Sequence, residues 1–188
     1  MSRTLYWIQG GGCGGDTWAF LSAESPDIYE LFDILSIKVL WHPSLSVADH
    51  QSREELDQAI LEDDVPLDIL CVEGSIIQGP SGTGLADVML GKPKKDVIGA
   101  LAAKAHHVIA VGTCASFGGF GADRETEATG VHFHKHDFGG FLGKEYRSKS
   151  GLPVINLPGC PCHSDILAGT LSALANDLPL EQIGRAHV

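Results

Sequence analysis

The sequence predicts an α/β fold, a five-stranded parallel sheet with helices on both faces, in a single domain spanning residues 1–188. Three observations predict it. Short continuous apolar runs such as Leu5-Tyr6-Trp7-Ile8 and Val108-Ile109-Ala110-Val111 read as strands buried on both faces, the pattern of interior parallel strands. Helical stretches fall between these runs, which implies right-handed crossovers and a sheet covered on each side. At 188 residues and 44% hydrophobic content the chain is long enough for one sizeable core and short for two.

Each element follows in order. Leu5 to Ile8 is the first strand and runs into the glycine turn Gly10-Gly11-Gly12-Cys13-Gly14-Gly15; Thr17 to Leu21 then opens a helix, with Asp16 or Thr17 as its cap. Ile34 to Trp41 is the second strand. Ser52-Arg53-Glu54-Glu55 has the form of a capping box and starts a helix that reaches about Leu61. Leu67 to Gly74 is the third strand, ending on Glu73 and a glycine. Ile76 to Gly91 lacks a period and is expected to be a long loop with a short helix near Leu85 to Met89. Lys95 to Ala105 reads as a helix, Val108 to Gly112 as the fourth strand, and the Cys114 segment as a loop after it. Gly118 to Gly151 is polar, rich in glycine and histidine, and mostly irregular. Val154 to Leu157 is the fifth strand, and His163 or Ser164 begins a last helix through about Ala175 that Leu178-Pro179 stops.

Composition excludes several functions. A formal charge of −11 with no basic cluster argues against nucleic acid, whose affinity comes largely from lysine and arginine displacing counterions. No apolar run approaches the ~20 residues that span a bilayer. Met1-Ser2-Arg3 does not resemble a secretory or twin-arginine leader, so the chain is expected to be cytoplasmic or to lie on the cytoplasmic face of a membrane through partners. Five cysteines, an odd number, fit metal ligation plus a spare thiol better than a disulfide framework.

The cysteines carry the chemistry. Cys13 follows the first strand, Glu73 ends the third, Cys114 follows the fourth and Cys160 follows the fifth. Ligands of open α/β sheets sit beyond the carboxyl ends of the strands, so all four residues belong on one edge. Thiolates are soft ligands suited to an iron–sulfur cluster, and four protein ligands complete a cubane. Cys13, Cys114 and Cys160 supply three. Asp16, at the second cysteine position of a C-x-x-C spacing, and Cys162 compete for the fourth, with Asp16 preferred because Cys162 lies only two residues from Cys160 across a proline. A carboxylate is a harder ligand than a thiolate, which leaves a three-iron cluster with an open corner as the alternative to a [4Fe–4S] cluster. Gly12 and Gly15 let the backbone pass close to the bound group, and Glu73 stands beside it as a proton relay, a reserve ligand or merely a strand-end acid. Cys71, inside a strand, reads as an inert buried thiol.

Other patterns yield to plainer readings. His132, His134 and His136 alternate, yet a solvated loop explains them better than zinc or copper; His163 supports the cysteine loop without ligating, and Trp7, Trp18 and Trp41 belong to the core or an interface. Gly10-x-Gly12-x-x-Gly15 formally matches the dinucleotide fingerprint, which would make the chain a dinucleotide- or flavin-binding oxidoreductase. That fingerprint wants an acid at the end of the second strand, where this chain has Trp41-His42. Gly79-Pro80-Ser81-Gly82-Thr83-Gly84 lacks the lysine of a P-loop. A purely structural subunit whose site has lost a cysteine is a third class.

Taken together, Trp7-Ile8-Gln9-Gly10 leading to Cys13, Val72-Glu73-Gly74-Ser75-Ile76, Gly112-Thr113-Cys114-Ala115-Ser116-Phe117-Gly118-Gly119 and Leu157-Pro158-Gly159-Cys160-Pro161 resemble the small subunit of [NiFe] hydrogenases, in order and over essentially the whole chain. The resemblance implies a flavodoxin-like domain whose proximal iron–sulfur cluster, ligated through Cys13, Cys114 and Cys160 with Glu73 nearby, conducts electrons from a nickel–iron centre held by a separate large subunit. It implies a hydrogen-oxidising complex completed by a further electron-accepting iron–sulfur or flavin subunit or by a higher oligomer. Most members have cysteine where this chain has Asp16; aspartate there resembles the actinobacterial-type, oxygen-tolerant uptake branch. The related quinone-reductase subunit also holds a single cluster, but it usually has adjacent cysteines where Cys13 stands alone.

Overall fold

The structure, a computed structural model, describes residues 2–122 and 124–179. One parallel sheet contains β1 (Arg3–Gln9), β2 (Ile37–Trp41), β3 (Ile69–Glu73), β4 (His107–Val111) and β5 (Ile155–Leu157), in the spatial order β2-β1-β3-β4-β5. This is the flavodoxin-like order, whose switch point lies between β1 and β3. Around the sheet run α1 (Gly15–Leu21), α2 (Ile28–Ile34), α3 (His50–Leu61), α4 (Lys94–Lys104), α5 (Gly112–Phe117) and α6 (Ser164–Ala175).

Alternation along the strands divides the core between the two faces. Leu5, Trp7, Ile69, Cys71 and Ile109 meet Phe20 of α1, Phe32 of α2 and Leu171 of α6. Tyr6, Ile8, Leu70, Val72 and Val108 meet Ile60 of α3 and Leu101 of α4. Burial pushes the Cys71 thiol far above its ordinary range, consistent with an inert core cysteine. Among the described residues no helix is long and apolar enough to cross a membrane.

The strand register positions the functional edge. Gln9 pairs with Glu73, Glu73 with Val111, and Val111 with Leu157, so four strands finish on one row. The chain then turns off this row toward Cys13, Cys114 and Cys160, each three or four residues beyond it.

Several local expectations are corrected. Residues 28–34 form the separate helix α2, capped by Asp27, whose carboxylate accepts from the Tyr29 and Glu30 amides while Glu30 accepts from the Asp27 amide. The second strand therefore starts only at Ile37. Helix α3 begins a turn before Ser52, because Asp49 is its cap and accepts from the Ser52 amide at 2.8 Å. No helix forms near Leu85 to Met89: Leu90 and Gly91 both take positive φ, 51° and 74°, and fold Val88–Met89 back on Lys92–Pro93 as a small hairpin. Cys114 lies in a short helix, α5, and not in a loop.

Two expectations follow. Asp27→Ala removes the half of the α2 capping box in which the Asp27 carboxylate accepts from the Tyr29 and Glu30 amides, and should lower stability by about 1 kcal/mol in urea unfolding. Burial draws His42 and His107 down to about 4 from the ordinary 6.5. On unfolding these imidazoles take up protons that the folded chain excludes, so the stability present above about pH 6.5 is lost as pH falls toward about 4. The urea midpoint should drop across that window, and His107→Gln should flatten part of the drop.

Candidate functional site

The site is built at the switch point, from the glycine turn after β1, the end of β3, the start of α5 and the loop after β5. Its first requirement is close backbone approach. The Gly11 and Ser75 amides each donate to the other's carbonyl at 2.8 Å, locking the turn onto the chain leaving β3. A Cβ on Gly10 would lie 2.4 Å from the Ser75 carbonyl oxygen, so a side chain there would break the lock. At the helix start, where a dinucleotide pyrophosphate would sit, the Thr17 amide donates instead to the chain's own Glu73 carboxylate at 2.9 Å, which disfavours the fingerprint reading. Gly14, at φ 75°, then turns the chain into α1 with no side-chain cap.

Beneath the turn lies Glu73, 1% exposed. Its carboxylate accepts from Trp7 Nε1 at 3.0 Å, from Gln9 Nε2 at 3.0 Å, from the Thr17 amide at 2.9 Å and from the Thr17 hydroxyl. Sequence reasoning singled out Glu73 but not these donors. Gln9 and Trp7 had a usable signal, since alternate residues of β1 must share a face and Gln9 pairs with Glu73 across the sheet; Thr17, reached through the helix start, had none.

The cysteines converge above Glu73. Cys13, Cys114 and Cys160 line one cavity of about 190 Å³ together with Gly12, Gly15, Asp16, Glu73 and Thr113. Cys13 and Cys160 are exposed and Cys114 is partly buried. Burial pushes the Cys114 thiol up, and the charges of Cys160, Asp16, Cys13 and Glu73 push it further. A set of groups that penalise one another's negative charge in this way is suited to a cationic iron centre, which removes the penalty. Glycine also clears the space: a Cβ on Gly119 would lie 2.7 Å from the Cys114 sulfur, and one on Gly15 would lie 3.1 Å from the Cys13 sulfur.

Asp16 sits in the first turn of α1 but does not cap it. Its Oδ1 accepts from the Cys162 amide at 2.7 Å, and the carboxylate lies flat against Gly112, where a Cβ would stand 2.1 Å from Oδ2. Gly112 also takes φ 83°, a second reason for glycine. Burial raises the Asp16 carboxyl above its ordinary range, the Cys162 amide lowers it and Glu73 raises it again.

Cys162 is placed elsewhere. Its side chain is 3% exposed, packs into the apolar core with Leu167 and Leu171, and is absent from the cavity lining. Burial and the neighbouring Asp16 push its thiol up to about 11. His163 is the N-cap of α6, its Nδ1 accepting from the Asp165 amide at 3.3 Å.

The remaining patterns do not assemble. His132 is buried, His134 half-buried and His136 exposed around a small hairpin, Phe133–His134 against Asp137–Phe138. Among the described residues no three His, Cys, Asp or Glu side chains could hold a single metal ion. In the Gly79 to Gly84 loop the Ser81 and Gly82 amides donate to the Glu127 carboxylate at 2.8 Å each, so this loop holds the chain's own acid. Trp7 is core, Trp41 packs under the Arg53 guanidinium at 3.9 Å, and Trp18 is 69% exposed beside the Cys13 turn.

Comparison with known proteins shows the family of the chain. The family model "NADH ubiquinone oxidoreductase, 20 Kd subunit" matches residues 13–174. The F420 non-reducing hydrogenase I small subunit of Methanosarcina mazei is 34% identical over 208 aligned positions, covering 98% of this chain and 53% of its own length. This chain thus spans about half the length of that curated relative. The reduced, active Ni-Fe-Se hydrogenase of Desulfomicrobium baculatum superposes with a TM-score of 0.74 at 27% identity, over 92% of this chain and 62% of that one. The actinobacterial-type NiFe-hydrogenase of Ralstonia eutropha H16 shares the fold, with a TM-score of 0.74 at 24% identity over 95% of this chain and 55% of that one. The chain belongs to the NADH ubiquinone oxidoreductase 20 Kd subunit family, and the relatives it matches over nearly its whole length are hydrogenase small subunits.

Proposed function

We propose that this chain is the electron-transfer small subunit of a [NiFe] hydrogenase and holds one iron–sulfur cluster through Cys13, Cys114, Cys160 and Asp16. The observation that carries the reading is the convergence of three thiols, from three strand ends in register, on one glycine-cleared cavity. The cavity lining favours Asp16 over Cys162 as the fourth ligand. When bound, the cluster supplies one-electron transfer between the partner's nickel–iron centre and an acceptor. The residues of this chain hold it, bury its inner side on Glu73 and leave its outer side toward solvent at Cys13 and Cys160.

Two exposed aromatic side chains belong to the segments that form the site: Trp18, which packs near Gly14, at 69% and Phe120, next to Gly119, at 94%. Large apolar surface beside an exposed cavity is the signature of a covered interface. We assign it to the large subunit. A further electron-accepting iron–sulfur or flavin subunit, and a cytoplasmic or cytoplasm-facing location, complete the proposal. A quinone-reductase-type arrangement with a second cysteine beside Cys13 is disfavoured locally: a Cβ on Gly12 would stand 3.2 Å from the Gly74 Cα, and Gly14 needs φ 75°.

The test is iron and acid-labile sulfide content, with low-temperature EPR, on the anaerobically purified chain and its co-purifying partners. About four irons per chain beyond those of the partners are expected for a cubane, and three for an open corner. Asp16→Cys should keep the iron and shift the cluster's potential and spectrum; an unchanged potential would remove Asp16 from the ligand set. Absence of iron and sulfide from the parent would sink the reading.

A further inference from the structure

We infer that Thr113 sets the potential of the bound cluster: its side-chain oxygen fixes two ligand-bearing segments together, and its hydroxyl proton is donated to sulfur in the cavity. The inference rests on the iron–sulfur reading above. Thr113 immediately precedes Cys114, and Gly159 immediately precedes Cys160. The two are joined reciprocally. The Thr113 amide donates to the Gly159 carbonyl at 2.8 Å, and the Gly159 amide donates back to Thr113 Oγ1 at 3.1 Å. This pair spans 46 residues of sequence, so it fixes the separation of the α5 start and the β5 loop, and with it that of the Cys114 and Cys160 sulfurs.

The second half of the inference comes from the hydroxyl's own hydrogen. A threonine hydroxyl has one donor and two acceptor sites. Oγ1 accepts from Gly159, and among the described residues no protein acceptor takes the proton. Thr113 is itself part of the cavity wall; the two carboxylates that share it already accept from other donors, Glu73 from Trp7, Gln9 and Thr17 and Asp16 from the Cys162 amide, so the acceptor assigned to the proton is ligand sulfur or sulfide of the bound cluster. β-Branching restricts the side chain's rotamers and holds the oxygen at that wall. A hydrogen bond donated to cluster sulfur stabilises the more negative, reduced state and raises the potential. Thr113 would therefore set the driving force of electron transfer without ligating iron.

The test compares the parent complex with its Thr113→Val, Thr113→Ala and Thr113→Ser variants, by iron and sulfide content and by EPR-monitored redox titration. Val and Ala should retain iron and shift the midpoint potential negative, and Ser should restore the parent value. A parent-like potential in iron-loaded Val or Ala overturns the inference. So does loss of iron from both Val and Ala while Ser keeps it, which would make Thr113 a clamp only. Absence of iron from the parent itself would remove the reading beneath the inference, and the inference with it.

Discussion

The structure depends on one buried carboxylate. Glu73 closes β3 at a point where apolar strands would normally exclude an acid, and it survives there because donors from β1 and α1 converge on it. A buried acid without such partners costs several kcal/mol, so the arrangement is stable only when Trp7, Gln9 and Thr17 are all in place. Those residues flank the glycine turn on both sides. The bonds that keep Glu73 satisfied therefore also fix where Cys13 and Asp16 stand relative to the sheet.

From that anchor the rest of the edge follows by register and by clearance. The row Gln9, Glu73, Val111, Leu157 delivers three chain segments to one level. Glycine then permits contacts that any side chain would block, Gly10 against the Ser75 carbonyl, Gly112 against the Asp16 carboxylate and Gly119 against the Cys114 sulfur. Because the sheet core on each face is closed by helices, the edge itself has little freedom to rearrange. The site meets the core through buried Glu73 and is open at the exposed Cys13 and Cys160.

Much of this was legible in the sequence, for identifiable reasons. Strands β1, β3 and β4 are covered on both faces and so appear as uninterrupted apolar runs, and each ends beside glycine or an acid. That is enough to place Cys13, Glu73, Cys114 and Cys160 on one edge. Helix α2 was hidden because its apolar residues run on into those of β2; the Asp27 and Glu30 pair was the signal available for it. Helix α3 starts one turn before the Ser52 box because Asp49 and Ser52 are both good caps and only the fold chooses between them. Asp16 illustrates the limit most clearly. Its local position allows a helix cap or a ligand, but its hydrogen-bond partner is the Cys162 amide, 146 residues away, a contact that no local pattern records. The same holds for the Thr113 and Gly159 pair.

The most direct test of Glu73 as the organising group is urea unfolding of Glu73→Gln beside the parent chain under identical conditions. Glutamine keeps the shape but turns one acceptor into a donor facing Trp7, Gln9 or Thr17. A loss of about 2 kcal/mol is predicted, since hydrogen bonds to a charged group and an unsatisfied buried donor each weigh at that scale. Unchanged stability would contradict the account and leave the glycine packing alone to hold the cysteine turn in place.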